Sequence, residues 1–297
     1  MARLKGVAMG RVGSLSPSKW QDQTAALEAP IGRAVRKPVE EIAALGGDPN
    51  FMTSLARGLA VIQAFSEPRQ RLTISHLSSK TGLSRAAVRR CLYTLTKLGL
   101  TGRDDAFHFF LRPRVLALGY SYISSTPLAA AALPVLEHVS RLVHESCSIA
   151  ALDRFDIVYI ARSNVTRIMS VDLGIGSRLP AFCTSMGRVL LANLPDQELD
   201  SYLASVQLTR YTDRTVVDSN KLREILRLVR SAGYAIVDQE LELGLRSMAV
   251  PVRAPAGNVA AAVNIGTQAQ RISISEMQSR FLPHLCAAAQ ELGMLLH

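Results

Sequence analysis

Two helix signals joined by only three residues constrain this 297-residue chain more than any other feature of it. Thr73 is placed to cap a short helix that carries Ile74 and Leu77 and stops at Gly82, and Ser84 opens the next. Val88, Cys91, Leu92, Leu95 and Leu98 recur on one face of that second helix, and Gly99 ends it. Helices this short, joined through Thr81-Gly82-Leu83, match a helix-turn-helix. Ahead of them Ser54–Phe65 reads as a helix capped by Ser54, with an apolar stripe of Leu55, Leu59 and Ile62, ended by Glu67-Pro68. Behind them Leu100–Arg103 and Ala106–Leu111 flank Asp104-Asp105 and read as a β-hairpin. Three helices and a hairpin make a winged helix over residues 51–112.

Charge follows the same boundary. The net +10 divides into +2 over residues 1–50, +7 over 51–112 and +1 over 113–297. A basic segment beside a nearly neutral remainder points to a polyanion, against the alternative of a solvated basic face. On the helix after Ser84 the face opposite the apolar set carries Arg85, Arg89, Tyr93 and Thr96, with Arg90 and Lys97 at its edge. Arg85 and Arg89 lie near the helix start, where arginine reaches guanine edges. Arg90, Lys97 and Arg103 suit phosphates, as do Ser54, Thr73 and Ser84 at helix N-termini.

The remaining chain divides as follows. Residues 1–50 are punctuated by Pro and Gly and read as a mobile extension with a short helix near Val39–Leu45. Pro113 opens a linker helix, Arg114–Ser124, within 113–127. Residues 128–297 read as a mixed domain: an amphipathic helix carrying Leu128, Val135, Val139 and Leu142, then strands at Ser148–Leu152, Ile157–Ala161 and Arg167–Leu173. Helices follow at Ser185–Ala192, Asp196–Ala204 and Asn220–Ala232, strands at Tyr234–Val237, Arg246–Arg253 and Val259–Gly266, and a last helix from Ser275 to Leu296. Tight turns between successive strands imply a largely antiparallel sheet, so the class is α+β in two domains.

Composition excludes other classes. No apolar run approaches the ~20 residues of a membrane span, and Arg11 interrupts the apolar stretch a signal peptide needs, so a cytoplasmic protein with no membrane partner is expected. The four cysteines are dispersed with no CxxC, which predicts neither a disulfide framework nor a structural metal, and no cofactor is expected.

The stretches "SLARGLAVIQAF", "LSSKTGLSRAAVRRCLYTLTKLG", "RPRVLALGYSYISS", "HESCSIAALD", "RIMSVDLGIGSRLPAFCTSMGRVLLANLP" and "GYAIVDQELELGLRSMAVPV" resemble the IclR family of bacterial transcription regulators, within it the regulators of β-ketoadipate and aromatic-acid catabolism. The resemblance covers about residues 53–297. It implies a winged helix-turn-helix joined by a linker helix to a GAF-like effector domain, binding promoter DNA as a homodimer or homotetramer, with RNA polymerase as a further partner. Its effectors are small organic acids such as protocatechuate, 4-hydroxybenzoate, β-ketoadipate or muconate. The family pattern places the pocket at Ser185 and Met186, with apolar walls at Ile168, Val171 and Leu179 and polar contacts at Ser247, Asn264 and Gly266. Physical chemistry agrees at one point: Thr184 or Ser185 caps a helix whose free amides near Met186 and Gly187 suit a carboxylate. The sequence departs from the pattern at Val237, where an acidic or small polar residue is usual, and Asp238 next to it points to the other face.

Arg162, Arg178 and Arg188 are candidate acid contacts, or partners of Asp153, Asp156 and Asp172. An enzyme built on His144, Cys147 and Cys183 is a rival reading, disfavoured because the sequence places no acid to orient His144. A sequence-indifferent architectural DNA binder is another, disfavoured because the charge excess is confined to one segment. The expectation is therefore a regulator and no catalytic residue.

Overall fold

The computed structural model describes residues 37–66, 71–165 and 173–296. Most of the 1–50 extension, and the strand expected over Arg167–Leu173 apart from its last residue, lie outside the described residues. The chain enters through α1 (Pro38–Ala44), the short helix expected near Val39–Leu45, then α2 (Thr53–Gln63), α3 (Ile74–Thr81) and α4 (Arg85–Lys97). Both expected caps of the helix pair form. Thr73 Oγ1 accepts the His76 N–H at 3.2 Å and Ser84 Oγ the Ala87 N–H at 3.2 Å. Gly82, with φ of 74°, turns the chain between them, and a Cβ there would lie 2.5 Å from Val39 Cγ1 of α1. Side chains of Val61, Leu77, Leu83, Val88, Leu92 and Phe109 close the core beneath. Leu77 and Leu92 are fully buried, and truncating either to Ala costs ~2–5 kcal/mol.

Three expectations change in this unit. Ser54 is not a cap: the chain enters the helix at Thr53, after a turn in which the Phe51 N–H donates to Asp48 O, so Ser54 is a second helical residue. The stripe of Leu55 and Leu59 faces outward, and the buried residues are Ala60 and Val61, whose small size lets α2 approach α4. Leu98 is exposed as well, because it is the C-cap where the helix turns away.

β1 (Thr101–Arg103) pairs with β2 (Phe109–Leu111), and Leu72 bridges Phe109 as a third short strand. Ala106 and Phe107 belong to the turn rather than to the strand expected from Ala106. Asp104 exchanges backbone bonds with its partner at this end, its N–H donating to His108 O at 3.0 Å, while its Oδ1 accepts the His108 N–H at 2.9 Å. A 3₁₀ turn at Pro113–Val115 leads into α5 (Leu116–Ser125), none of whose residues is buried, and extended Thr126 separates it from α6 (Pro127–Val143).

Six antiparallel strands follow, in the spatial order β5-β4-β3-β8-β7-β6. They are β3 (Ser146–Asp153), β4 (Asp156–Ser163), β5 (Arg178–Pro180), β6 (Ala235–Asp238), β7 (Leu245–Arg253) and β8 (Val259–Gln268). Strand alternation divides the sheet into two faces. Cys147, Ile149, Met248, Val263 and Ile265 face a layer made by α6 and the C-terminal helix, where Val143 rather than Leu142 turns inward. Ala150, Ala249 and Ala262 face α7 (Ser185–Ala192), itself backed by α9 (Ser219–Ala232), with α8 (Asp196–Ser205) between them in the chain. Small residues on this face let a wholly buried helix lie on the sheet. The last helix is not continuous: α10 (Ile274–Glu276) passes through a π turn at Met277–Phe281 into α11 (Leu282–Gly293). Pro283 has no N–H to donate there, which removes one rung of a regular helix.

Candidate functional sites

The first candidate is the outer face of α4. Arg85, Arg89, Arg90, Tyr93, Thr96 and Lys97 are all exposed, on the side away from Val88, Leu92 and Leu95. No carboxylate among the described residues pairs with Arg85, Arg89 or Arg90. Lys97 Nζ lies 5.6 Å from the Tyr93 ring centroid. Thr96 Oγ1 bonds the buried Thr101 Oγ1 at 2.9 Å, tying the end of α4 to the base of the wing, where Arg103 is also exposed. The helix therefore presents unneutralised guanidinium groups on a rigid support, which is the electrostatic requirement for reading a polyanion. Thr73 and Ser84 hold helix starts by accepting the His76 and Ala87 amides, respectively, and each keeps its hydroxyl proton as a donor.

The second candidate lies where α7 begins. Thr184, not Ser185, is the cap, and its Oγ1 accepts the Gly187 N–H at 3.3 Å. Gly187 is thus not an open donor, as expected earlier. It is a packing position, where a Cβ would fall 2.0 Å from Ala181 O. The amides of Ser185 and Met186 remain as the first two of the helix, which have no intrahelical acceptor. Ser185 is 1% exposed and Asn264 8%, yet among the described residues Ser185 Oγ and Asn264 Oδ1 have no hydrogen-bond partner. Asn264 stands in register with Ala249 and Ser148 on the face that α7 covers. Gly266, Ser247 and Val237 form the next row across β8, β7 and β6, Val237 buried and the other two half-buried. Leu179 is buried on β5 in register with Ile157, within the core around α7. Ile168 and Val171 lie outside the described residues.

Of the three uncertain arginines, two are committed elsewhere. Arg178 pairs with Asp153 at 2.5 Å and Asp156 at 3.3 Å, as the acidic alternative expected. Arg188 is buried and grips Glu240 with both terminal nitrogens at 2.7 Å, while its Nε donates to Phe182 O at 3.0 Å. Arg162 donates to Asn164 Oδ1. Glu240 was not anticipated. The signal was an arginine flanked by Met186, Val189 and Leu190, which demands a buried acid, but nothing local says which of the 24 acidic residues supplies it. Asp238 is held below the usual carboxylate range: burial pushes it up, and the Arg246 and Arg214 guanidinium groups outweigh that. It is therefore committed to the opposite face from Val237.

A helix-turn-helix with an unpaired basic helix, followed by an α+β domain, defines a DNA-binding transcription regulator. The chain belongs to the IclR family: the IclR helix-turn-helix domain matches residues 54–105, and the bacterial transcriptional regulator IclR C-terminal domain matches residues 120–294. It is 50% identical over 279 residues to the Pca regulon regulatory protein of Pseudomonas putida, covering 94% of each chain. A transcriptional regulator from Rhodococcus sp. RHA1 of known structure is 50% identical with a TM-score of 0.73, over 83% of this chain and 98% of that one. An IclR homolog from Microbacterium hydrocarbonoxydans, solved with 4-hydroxybenzoate, superposes with a TM-score of 0.71 at 25% identity, over 82% of this chain and 98% of that one. No helix among the described residues is long and apolar enough to cross a membrane.

Proposed function

We propose that this regulator reads promoter DNA through Arg85 and Arg89 on α4, with Arg90, Lys97 and Arg103 on phosphates, and that a small aromatic acid bound at the start of α7 controls the complex. One observation carries the acid site: Ser185 Oγ and Asn264 Oδ1 are buried polar atoms without partners among the described residues, on a helix and a strand that pack together. Native interiors rarely leave such atoms unpaired, because each costs ~1–3 kcal/mol. A hydroxylated benzoate answers both. Its carboxylate takes the Ser185 and Met186 amides and the Ser185 hydroxyl, and its ring hydroxyl donates to Asn264 Oδ1. Val237, in place of a polar side chain, suits the ring. Ser247 and Gly266 line the next row, with Ile168, Val171 and Leu179 as apolar walls.

The acting unit is a homodimer or a homotetramer. Leu116, Leu118, Tyr120 and Tyr122 on α5 are all exposed, Leu116 by 74%, and a ten-residue helix that sets little more than Ile123 against the core is marginal alone. A second copy covering α5 and the outward Leu55 and Leu59 supplies what is missing. We read residues 51–112 as reader, 113–127 as linker and 128–297 as sensor, in a cytoplasmic protein without catalytic activity. Burial pushes Cys147 up to about 12 and raises Cys183 as well, so neither thiol is a nucleophile near neutral pH. Acid binding to one dimer arrangement shifts the spacing of the two α4 helices. The position of the operator relative to RNA polymerase then sets activation or repression.

Thermal unfolding with a panel of acids tests this reading. 4-Hydroxybenzoate or protocatechuate at 100 times its dissociation constant adds ~2.7 kcal/mol of stability, and Asn264→Leu removes the gain. A panel without any shift sinks the acid-sensor reading.

A further inference from the structure

The tip of the wing holds an aromatic ring out in water at a backbone conformation that disfavours it. Phe107 has φ of 62°, in the left-handed region that Gly, Asn and Asp fill most easily, and its side chain is 65% exposed. Loose geometry does not explain it. The turn is closed from within: the Phe107 N–H donates to Asp104 O at 3.1 Å, and the Asp104 and His108 backbones and the Asp104 carboxylate are joined as described above. Arg71, next to the bridging Leu72, clamps the same carboxylate at 2.8 Å. The core of the unit takes Phe109, and nothing in it requires Phe107. The charged neighbour of the ring is Arg103, whose guanidinium carbon stands 4.6 Å from the ring centroid. Strain retained at a rigid, exposed position is a mark of function rather than of folding.

We infer that Phe107 is an apolar wedge for the minor groove beside the one that α4 enters. The argument rests on the DNA-reading role of α4 and extends it. Thr101 is tied to α4 by its hydroxyl bond, and β1 with the turn that follows it carries Phe107 to the free end of the wing, beside the groove next to the one that α4 enters. Asp104 is neutralised by Arg71, but Asp105 beside it is exposed and bears its charge. The tip is therefore a poor seat for a phosphate, and its contact falls to the ring, pressed against sugars or a base step, while Arg103 at the base of the turn keeps the phosphate strand. Phenylalanine wedges of this kind unstack a step and bend the duplex.

The probe is a duplex that the full-length protein selects from a random-sequence library, assayed for affinity and for bend by circular permutation. Phe107→Gly and Phe107→Asn relieve the left-handed strain, so they hold or raise thermal stability. They nonetheless weaken binding roughly tenfold and reduce the bend, while Phe107→Leu keeps most of both. Arg89→Ala separates this inference from the reading beneath it. If Arg89→Ala weakens binding while Phe107→Gly and Phe107→Asn bind and bend DNA like the parent, α4 reads DNA and the wedge is wrong. If the Phe107 variants change oligomeric state at unchanged DNA affinity, the tip meets another copy and the wedge is again wrong. A library that yields no preferred sequence overturns the reading and the wedge together.

Discussion

The reader and the sensor are both rich in arginine, and they use it in opposite ways. On α4, Arg85, Arg89 and Arg90 stand exposed with no carboxylate among the described residues to meet them. Across the sheet domain many of the arginines meet acids: Arg178 with Asp153 and Asp156, Arg188 with Glu240, Arg214 and Arg246 with Asp238, Arg223 with Asp200, Arg230 with Asp196 and Arg271 with Glu145. Guanidinium groups left without acids attract a polyanion, whereas paired ones shape a fold. The difference separates the two roles more clearly than the net charge does.

Four measurements can break or sharpen that contrast. The largest effect belongs to the buried pair. Glu240→Gln strands the Arg188 charge and removes the carboxylate that also accepts the Val216 N–H at 3.1 Å. Urea unfolding is expected to show a loss of ~3–5 kcal/mol, and an unchanged midpoint would mean that the pair is not structural. Next comes Arg89→Ala, which leaves stability within ~0.5 kcal/mol but costs ~1–3 kcal/mol of binding to the selected duplex. A stability loss with intact binding would reverse the contrast at its centre. Lys97→Ala is smaller. It weakens binding to all sequences about equally and lowers the slope of log affinity against log salt by ~1; a sequence-dependent loss would instead make Lys97 a base contact. The smallest effect is expected at Arg178→Ala, an exposed pair worth at most ~1 kcal/mol on unfolding. A larger loss would promote the β4–β5 edge from surface to framework.

Local chemistry made much of this legible in advance. Thr73, Gly82, Ser84 and Gly99 act through bonds and dihedral angles within a few residues, so their roles were readable from spacing. The same holds for Ser185–Ala192, whose limits agree with the expected helix. Ser54 is displaced as cap because the preceding turn, held by Asp48 and Phe51, sets where the helix starts, and a turn signal as plain as Gly46-Gly47-Asp48-Pro49 does not say at which residue the helix after it begins. Leu55 and Leu59 were misread because periodicity finds an apolar stripe without saying what it faces. In the single chain it faces water, with Ala60 and Val61 packed inward. The wing was misread by two residues, because the Asp104 side chain closes a longer turn than Asp104-Asp105 suggests.

Within the candidate acid site the division is similar. Thr184 and Ser185 announce a helix start by their types, but the assignment of the cap to Thr184, and hence the loss of Gly187 as a donor, depended on how tightly Ala181 approaches that glycine. The unpaired state of Asn264 Oδ1 among the described residues is invisible in the sequence, because it depends on which residues of β3, β7 and α7 stand across from it.

By itself, then, the sequence determined most of the order of the helices and strands, though not the short β5, and the concentration of positive charge in residues 51–112. Those features follow from hydrogen bonds and torsions that close within one turn or one hairpin. Which arginines remain available was decided only in three dimensions. Arg188 meets Glu240 at a separation of 52 positions along the chain, and Arg178 meets Asp153 at 25. An ion pair forms wherever folding places two charges, and the chain separation that it spans leaves no mark on either residue's neighbours.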